Sequence, residues 1–166
     1  MNVFGVTGWK NSGKTTLMEK LVTEMCRRGL TVSTIKHAHH KVDVDHPGKD
    51  SYRHRQAGAH EVILASANRW ALMHELRGGT EPPLAALLAQ LEPVDLVLIE
   101  GYKRENHAKI EAALTKGPRP LLAHEDPHIA AVAAGYTIGP LSVPVLDIND
   151  IPVIADFVLR ESGLAK

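Results

Sequence analysis

Residues 8–15 read GWKNSGKT, and this stretch with its flanks fixes most of what the chain can fold into. The octapeptide meets G-x-x-x-x-G-K-[ST] at every position. An apolar run, NVFGVTG, leads into it, and KTTLMEKLVTEMCRRG leads out. Strand, glycine-bounded loop and helix in that order make a phosphate-binding loop. Gly8 and Gly13 let the backbone bend tightly and approach phosphate oxygens. Successive N–H groups, from about Asn11 through Ser12 to Thr15, are expected to point inward as an anion nest. The new helix adds its positive end. Lys14 is expected on the β- and γ-phosphates, the Thr15 hydroxyl on Mg²⁺, and Thr16 on the α-phosphate side. The motif is silent about the base. No N-K-x-D string that would read guanine is present, and Trp9 stands where a second, dimer-forming lysine occurs in the KGGxGK variant.

The remaining pattern predicts the frame around that loop. Leu17, Leu21 and Met25, flanked by Met18, Val22 and Cys26, make one apolar face of the first helix, with Gly29 as its left-handed stop. LTVSTIK reads as a second strand. KDSYRHRQAG predicts a short helix capped by Asp50 or Ser51 and stopped at Gly58. EVILAS and RWALMHE predict a hairpin turning on Ala67 and Asn68, with asparagine supplying a left-handed residue. TEPPLAALLAQLEP predicts a helix capped by Thr80, with its prolines in the first turn. VDLVLIEG is nearly continuous in apolar residues, as a central strand covered on both faces requires. KIEAALT, IAAVAAG and VPVLDI are further strands, and NDIPVIADFVLRES is a final helix capped by Asn149 or Asp150. Strands alternating with helices predict an α/β P-loop fold, with a mostly parallel twisted sheet, helices on both faces and one antiparallel hairpin. A single nucleotide-binding domain over residues 1–166 is expected, since no linker divides the chain.

A nucleotide site needs an acid for its metal. Glu100 ends LVLIE at the carboxyl edge of the central strand, where ligands gather in open α/β sheets. It is expected to serve Mg²⁺ as the acid of a Walker B strand does. Lys103 and Arg104 follow and bring positive charge to that edge. KHAHHKVDVDH, residues 36–46, holds four of the ten histidines. Three readings of it stay open: a transition-metal site built from His37, His39, His40, His46 and the aspartates; a loop at the nucleotide edge; or a solvated loop without a role. In the second, Lys36 and His37 sit beside the phosphates and Asp43 or Asp45 reaches Mg²⁺ through water. Arg53 and Arg55 lie on different sides of the short helix and need not form one patch.

Lysine plus arginine equals aspartate plus glutamate, 19 each, so net charge points to neither nucleic acid nor a membrane surface. One cysteine, Cys26, excludes an internal disulfide. No signal peptide or spanning segment is read, and a cytoplasmic protein is expected.

Four strings, GWKNSGKTTL, TIKHAHH, DSYRHRQAGA and LVLIEGYKRE, occur here in the order in which they occur in the molybdopterin-guanine dinucleotide biosynthesis accessory proteins of the protein B type. The resemblance covers about residues 1–112, and the last third matches less clearly. It implies a GTP-binding P-loop protein of the SIMIBI-like class, a homodimer, and a weak GTPase at most. It also implies a partner, the guanylyltransferase that joins GMP to molybdopterin, with molybdopterin itself as a further candidate ligand. GTP over ATP rests on the resemblance alone. Two rival readings of the residues remain: a metallochaperone GTPase using the histidine loop, and a small-molecule kinase using ATP.

Overall fold

The computed structural model describes residues 1–38 and 43–164. His39 and His40 of the histidine loop therefore lie outside the described residues. In chain order the elements are β1 (Asn2–Thr7), α1 (Lys14–Arg27), β2 (Val32–Lys36), α2 (Asp50–Gln56), β3 (Glu61–Ala65) and β4 (Trp70–His74). There follow α3 (Leu84–Leu88), β5 (Leu96–Glu100), β6 (Lys109–Ala113), a 3₁₀ turn (Leu122–His124), β7 (Ile129–Ala134), β8 (Val145–Asp147) and α4 (Ile151–Glu161). They fall into two compact units, Met1–Ala38 with Glu92–Lys166, and His39–Leu91.

The larger unit is a six-stranded sheet in the order β2-β5-β1-β6-β7-β8, with every pairing parallel. Its middle is apolar for the reason the sequence announced. β5 is buried along its whole length because both faces of a central parallel strand are covered. Phe4, Val6, Leu98 and Ile110 pack on one face against Leu17, Leu21 and Met25 of α1 and Ile154, Phe157 and Val158 of α4. Phe4 and Phe157 meet edge to face at 6.4 Å. Near β7 the opposite face is closed by Ala123 of the 3₁₀ turn, with Leu121 and Leu122 against Val132 and Ala134. No helix among the described residues is long and apolar enough to cross a membrane.

α1 stops as its sequence dictates. The Gly29 N–H donates to the Cys26 carbonyl and the Leu30 N–H to the Met25 carbonyl, which is the Schellman pair, and Gly29 takes φ +85°. Cys26, expected to flank the apolar face, is exposed. Glu24 is buried instead, because Arg27 and Arg28 fold back onto its carboxylate. Asp150 caps α4, accepting from the Val153 N–H.

The smaller unit is the antiparallel β3–β4 hairpin with α2 and α3. Its local chemistry departs from the sequence expectation at three points. Asn68 does not carry the turn with a left-handed backbone; the Ser66 hydroxyl closes it, donating to the Arg69 carbonyl and accepting from the Asn68 and Arg69 N–H groups. Neither Asp50 nor Ser51 caps α2; the N-cap is Lys49, and Asp50 lies in the first turn. The leucine-rich helix is one turn and a half. Pro83, at φ −64° and ψ 153°, is extended and sets the start of α3, so the prolines precede the helix and Thr80 is no cap.

Candidate functional site

The turn from β1 into α1 builds the cradle from backbone conformation. Gly8, Asn11 and Gly13 have φ of +140°, +62° and +91°, so three of six consecutive residues leave the ordinary regions. Gly13 is itself the N-cap of α1, and no side chain caps the helix there. The N–H groups of Lys14, Thr15 and Thr16 thus have no intrahelical partner and stand available to an anion. A Cβ on Gly13 would sit 3.1 Å from the Leu114 Cβ, and one on Gly8 would sit 2.6 Å from the Ala112 carbonyl oxygen. The end of β6 therefore backs the loop. The Leu114 N–H fixes that contact by donating to the Ser12 carbonyl at 3.0 Å.

Inside the loop, Lys14 Nζ donates to the Trp9 carbonyl at 2.6 Å, which also accepts the Ser12 N–H at 3.2 Å. Burial lowers the Lys14 pKa from its ordinary value, and the nearby charges of Lys103 and Lys36 add to that, with Glu100 opposing. Like charges held together are relieved by an anion. The Ser12 and Thr7 hydroxyls are buried and, among the described residues, without a hydrogen-bond partner. A buried hydroxyl with nothing to bond is costly, and a phosphate oxygen is the kind of partner that would remove the cost.

Parallel register brings the acids to this edge. Val6 lies opposite Glu100, and Thr7 lies opposite Glu111. Glu100 Oε1 accepts from Thr15 Oγ1 at 3.2 Å and meets Lys36 Nζ at 3.4 Å. Octahedral Mg²⁺ with oxygens at ~2.1 Å holds neighbouring ligands ~3 Å apart, so Thr15 and Glu100 fit a shared coordination shell. Lys36 thus arrives beside Glu100 at the loop's edge, as its place at the end of β2 requires.

The remaining expected residues take these positions. His37 continues the ladder through its N–H to the Glu100 carbonyl, and its ring stacks on Tyr102 at 4.6 Å. Gly101 and Tyr102, at φ +95° and +45°, reverse the chain directly after Glu100. A Cβ on Gly101 would lie 3.1 Å from the His37 Cβ, so the glycine makes room for that packing. Lys103, next in line, is carried to Trp9, with Nζ 4.3 Å from the indole centroid. Thr16 is exposed on the first turn of α1. Asp45 is held otherwise: within the smaller unit, both its carboxylate oxygens face Arg55, which also binds Asp43 and Glu75. Asp45 would have to leave this ion-pair cluster to serve a metal. Among the described residues, no group of three or more histidine, cysteine, aspartate or glutamate side chains is placed to hold a metal ion.

Sequence reasoning missed a polar layer beneath the turn. Lys109 is fully buried, donating to the carbonyls of Lys103 and Glu105 and to Asp126 at 2.9 Å. Glu111 is equally buried and accepts the N–H groups of Leu122 and Ala123. Charged residues at alternate positions of KIEAA were the available signal, since one face of β6 then reads Lys109, Glu111.

This arrangement has relatives. The model of the family described as MobB, molybdopterin guanine dinucleotide synthesis protein B, matches residues 3–135. A molybdopterin-guanine dinucleotide biosynthesis adapter protein of Escherichia coli (strain K12) is 46% identical over 155 residues, 92% of this chain and 88% of that one. One of the same name from Haemophilus influenzae is 44% identical, over 94% and 86%. Among solved structures, a MobB protein homolog from Bacillus stearothermophilus superposes with TM-score 0.71 at 30% identity, covering 99% of this chain and all of that one. Bacillus subtilis MobB gives 0.76 at 25% identity, covering 98% of each. By family model, identity and coverage alike, this chain belongs to the family of molybdopterin guanine dinucleotide synthesis protein B.

Proposed function

We propose that this protein is a GTP·Mg²⁺-binding adapter of molybdopterin-guanine dinucleotide synthesis that works with the guanylyltransferase of that pathway. The observation that carries the nucleotide half is the cradle: three left-handed residues around Lys14, two orphaned buried hydroxyls, and Thr15 in contact with Glu100. Gly8, Asn11, Ser12, Gly13, Lys14, Thr15 and Thr16 hold the phosphates, with Lys36, His37 and Lys103 around them. Thr15 and Glu100 would hold Mg²⁺, which would supply positive charge against the nucleotide phosphates. Lys14 would exchange the Trp9 carbonyl for the β- and γ-phosphate oxygens. The adapter role is taken from the names of the relatives. Hydrolysis is slow in this reading, because efficient GTPases add a residue that orients the attacking water and an arginine finger.

A binding panel of GTP, GDP, ATP and molybdopterin, each with Mg²⁺, tests it by calorimetry on wild type and Lys14→Ala. GTP is expected to bind more tightly than ATP, and Lys14→Ala to weaken it by at least ~10-fold, or ~1.4 kcal/mol. Equal binding by Lys14→Ala would remove the phosphate assignment. An ATP preference with phosphoryl transfer to an acceptor would favour a kinase instead. Reconstituted synthesis at limiting GTP, with and without this protein, tests the adapter half.

The homodimer implied by the family has support in the hairpin. Ile63, Trp70 and Leu72 share one face of β3–β4 and are 65%, 66% and 40% exposed. Two-stranded hairpins need a covering partner for stability. Sedimentation of Leu72→Glu is expected to show monomer where wild type shows dimer.

A further inference from the structure

Beside the phosphate loop lies a second positive feature, of which the nucleotide reading uses only Lys103, at its edge. Trp9 is the first residue after Gly8, and its indole N–H donates to the Pro120 carbonyl at 2.8 Å, which fixes the ring. Two cations rest on that ring: Lys103 Nζ at 4.3 Å from the centroid and Arg119 Cζ at 4.6 Å. Among the described residues, neither forms an ion pair within 4.0 Å or donates a side-chain hydrogen bond. The indole face offers partial compensation to a cation but no neutralisation.

Both cations are held there by the fold. Lys103 follows the Gly101–Tyr102 reversal, and its carbonyl is tied to the buried Lys109 ammonium at 3.2 Å. Arg119 precedes Pro120, whose carbonyl takes the indole N–H. Lys103 is partly buried, and its pKa is lowered by that burial and by Arg119, with Glu111 opposing. Glu111 gives little relief, since its carboxylate is committed to two backbone N–H groups. Two like charges are thus pre-placed at one ring, short of a counter-ion. An ammonium beside a guanidinium is the donor set that takes a phosphate dianion, with the guanidinium able to bind two oxygens at once.

The pair borders the cradle, since the Lys103 charge reaches Lys14 and the Trp9 carbonyl accepts from Lys14 Nζ, but its anchors are its own. The N–H groups that face nucleotide phosphates open the helix α1 at Lys14, Thr15 and Thr16, and Mg²⁺ ligands lie on the β5 side at Glu100. Trp9 is tied instead to Pro120, and Lys103 feels the charge of Glu111, midway along β6. We propose that Lys103 and Arg119, seated on Trp9, form a second anion subsite that takes the phosphate monoester of a ligand other than the nucleotide. The subsite adjoins the phosphate loop without depending on nucleotide binding. A phosphorylated ligand held there has its phosphate next to the terminal phosphates of a nucleotide in the loop, which is the juxtaposition a presenting protein needs.

Trp9 reports on its own subsite. The chain has two tryptophans, so Trp70→Phe leaves Trp9 as the only one. In that background, titration with inorganic phosphate is expected to change Trp9 emission saturably. The double change Lys103→Ala with Arg119→Ala should weaken the response at least ~10-fold, while Lys103→Arg with Arg119→Lys should restore it. Lys14→Ala, which disables the phosphate loop, should leave the response within about threefold, because Lys14 is not one of the two cations on the ring. If Lys14→Ala melts early, Thr15→Ala takes its place. The proposal is overturned if phosphate produces no saturable change. It is equally overturned if the double variant keeps the change, or if the loop variant abolishes it. Failure of GTP to bind in the calorimetric panel would remove the nucleotide reading and leave this result standing.

Discussion

At the scale of single residues, the cradle is most exposed at Gly13. Its φ of +91° belongs to the left-handed region, and it also opens α1. A Cβ there meets Leu114 at 3.1 Å, so alanine adds a steric push to a backbone cost of ~1–2 kcal/mol. Gly13→Ala is expected to lower the unfolding free energy by about that amount and to weaken triphosphate binding more than tenfold, read by denaturant titration and calorimetry. Binding at wild-type strength would mean that the loop tolerates a different conformation. The turn at the motif was legible because Gly8 and Gly13 stand where the backbone φ turns positive. Glu100 was legible because an acid ending an apolar strand has few places to go. The pairing of Trp9 with Lys103 and Arg119 was not legible: three loops supply it, and only the strand order brings those loops together. Asp45 shows the same limit from the other side. Its place in the loop after β2 pointed toward Mg²⁺, and Arg55, ten residues on, takes its carboxylate.

At the scale of elements, long periodic segments folded as their patterns require, and short ones were decided by backbone chemistry. α4 combines a capping aspartate, a proline in its first turn and a run of apolar residues on one face, all in agreement. Asp150→Ala removes the acceptor for the Val153 N–H and should cost ~1 kcal/mol in chemical denaturation. Asp150→Asn should recover most of it, since the amide oxygen also accepts. No loss in the alanine variant would show that α4 is held by packing alone. The helix expected over TEPPLAALLAQLEP forms only as α3: prolines fit a first turn, but Pro83 holds an extended conformation that delays the start to Leu84. The hairpin was legible in its strands and not in its turn. Asparagine was read for its left-handed tolerance, while a serine hydroxyl two residues earlier supplied the same closure by hydrogen bonding.

At the scale of the whole molecule, the buried polar layer of the larger unit couples its stability to acid. His107 lies against Gly5, where the missing Cβ admits the ring, and neither ring nitrogen has a hydrogen-bond partner among the described residues. Burial lowers its pKa from 6.5 to about 4; the charge of Lys109 and His128 adds to this and Asp126 opposes it. The folded state therefore keeps His107 neutral where an unfolded chain would protonate it. Between about pH 6.5 and 4 the unfolded state binds more protons, so stability rises with pH across that window and falls as acid is added. Above pH 6.5 both states are neutral at this residue and its slope vanishes. Asp126 works in the same direction at lower pH. Its pKa is lowered on balance: Lys109 and the His128 N–H and ring outweigh the opposing effect of burial, so its contribution is lost as pH falls through the folded value. The two are separable by substitution. His107→Gln, which cannot titrate, should flatten the pH dependence of the denaturation midpoint between about pH 6.5 and 4 and leave the steeper loss below it. An unchanged slope in that window would mean that the ring reaches water in the folded state, and that Gly5 serves some other contact of β1.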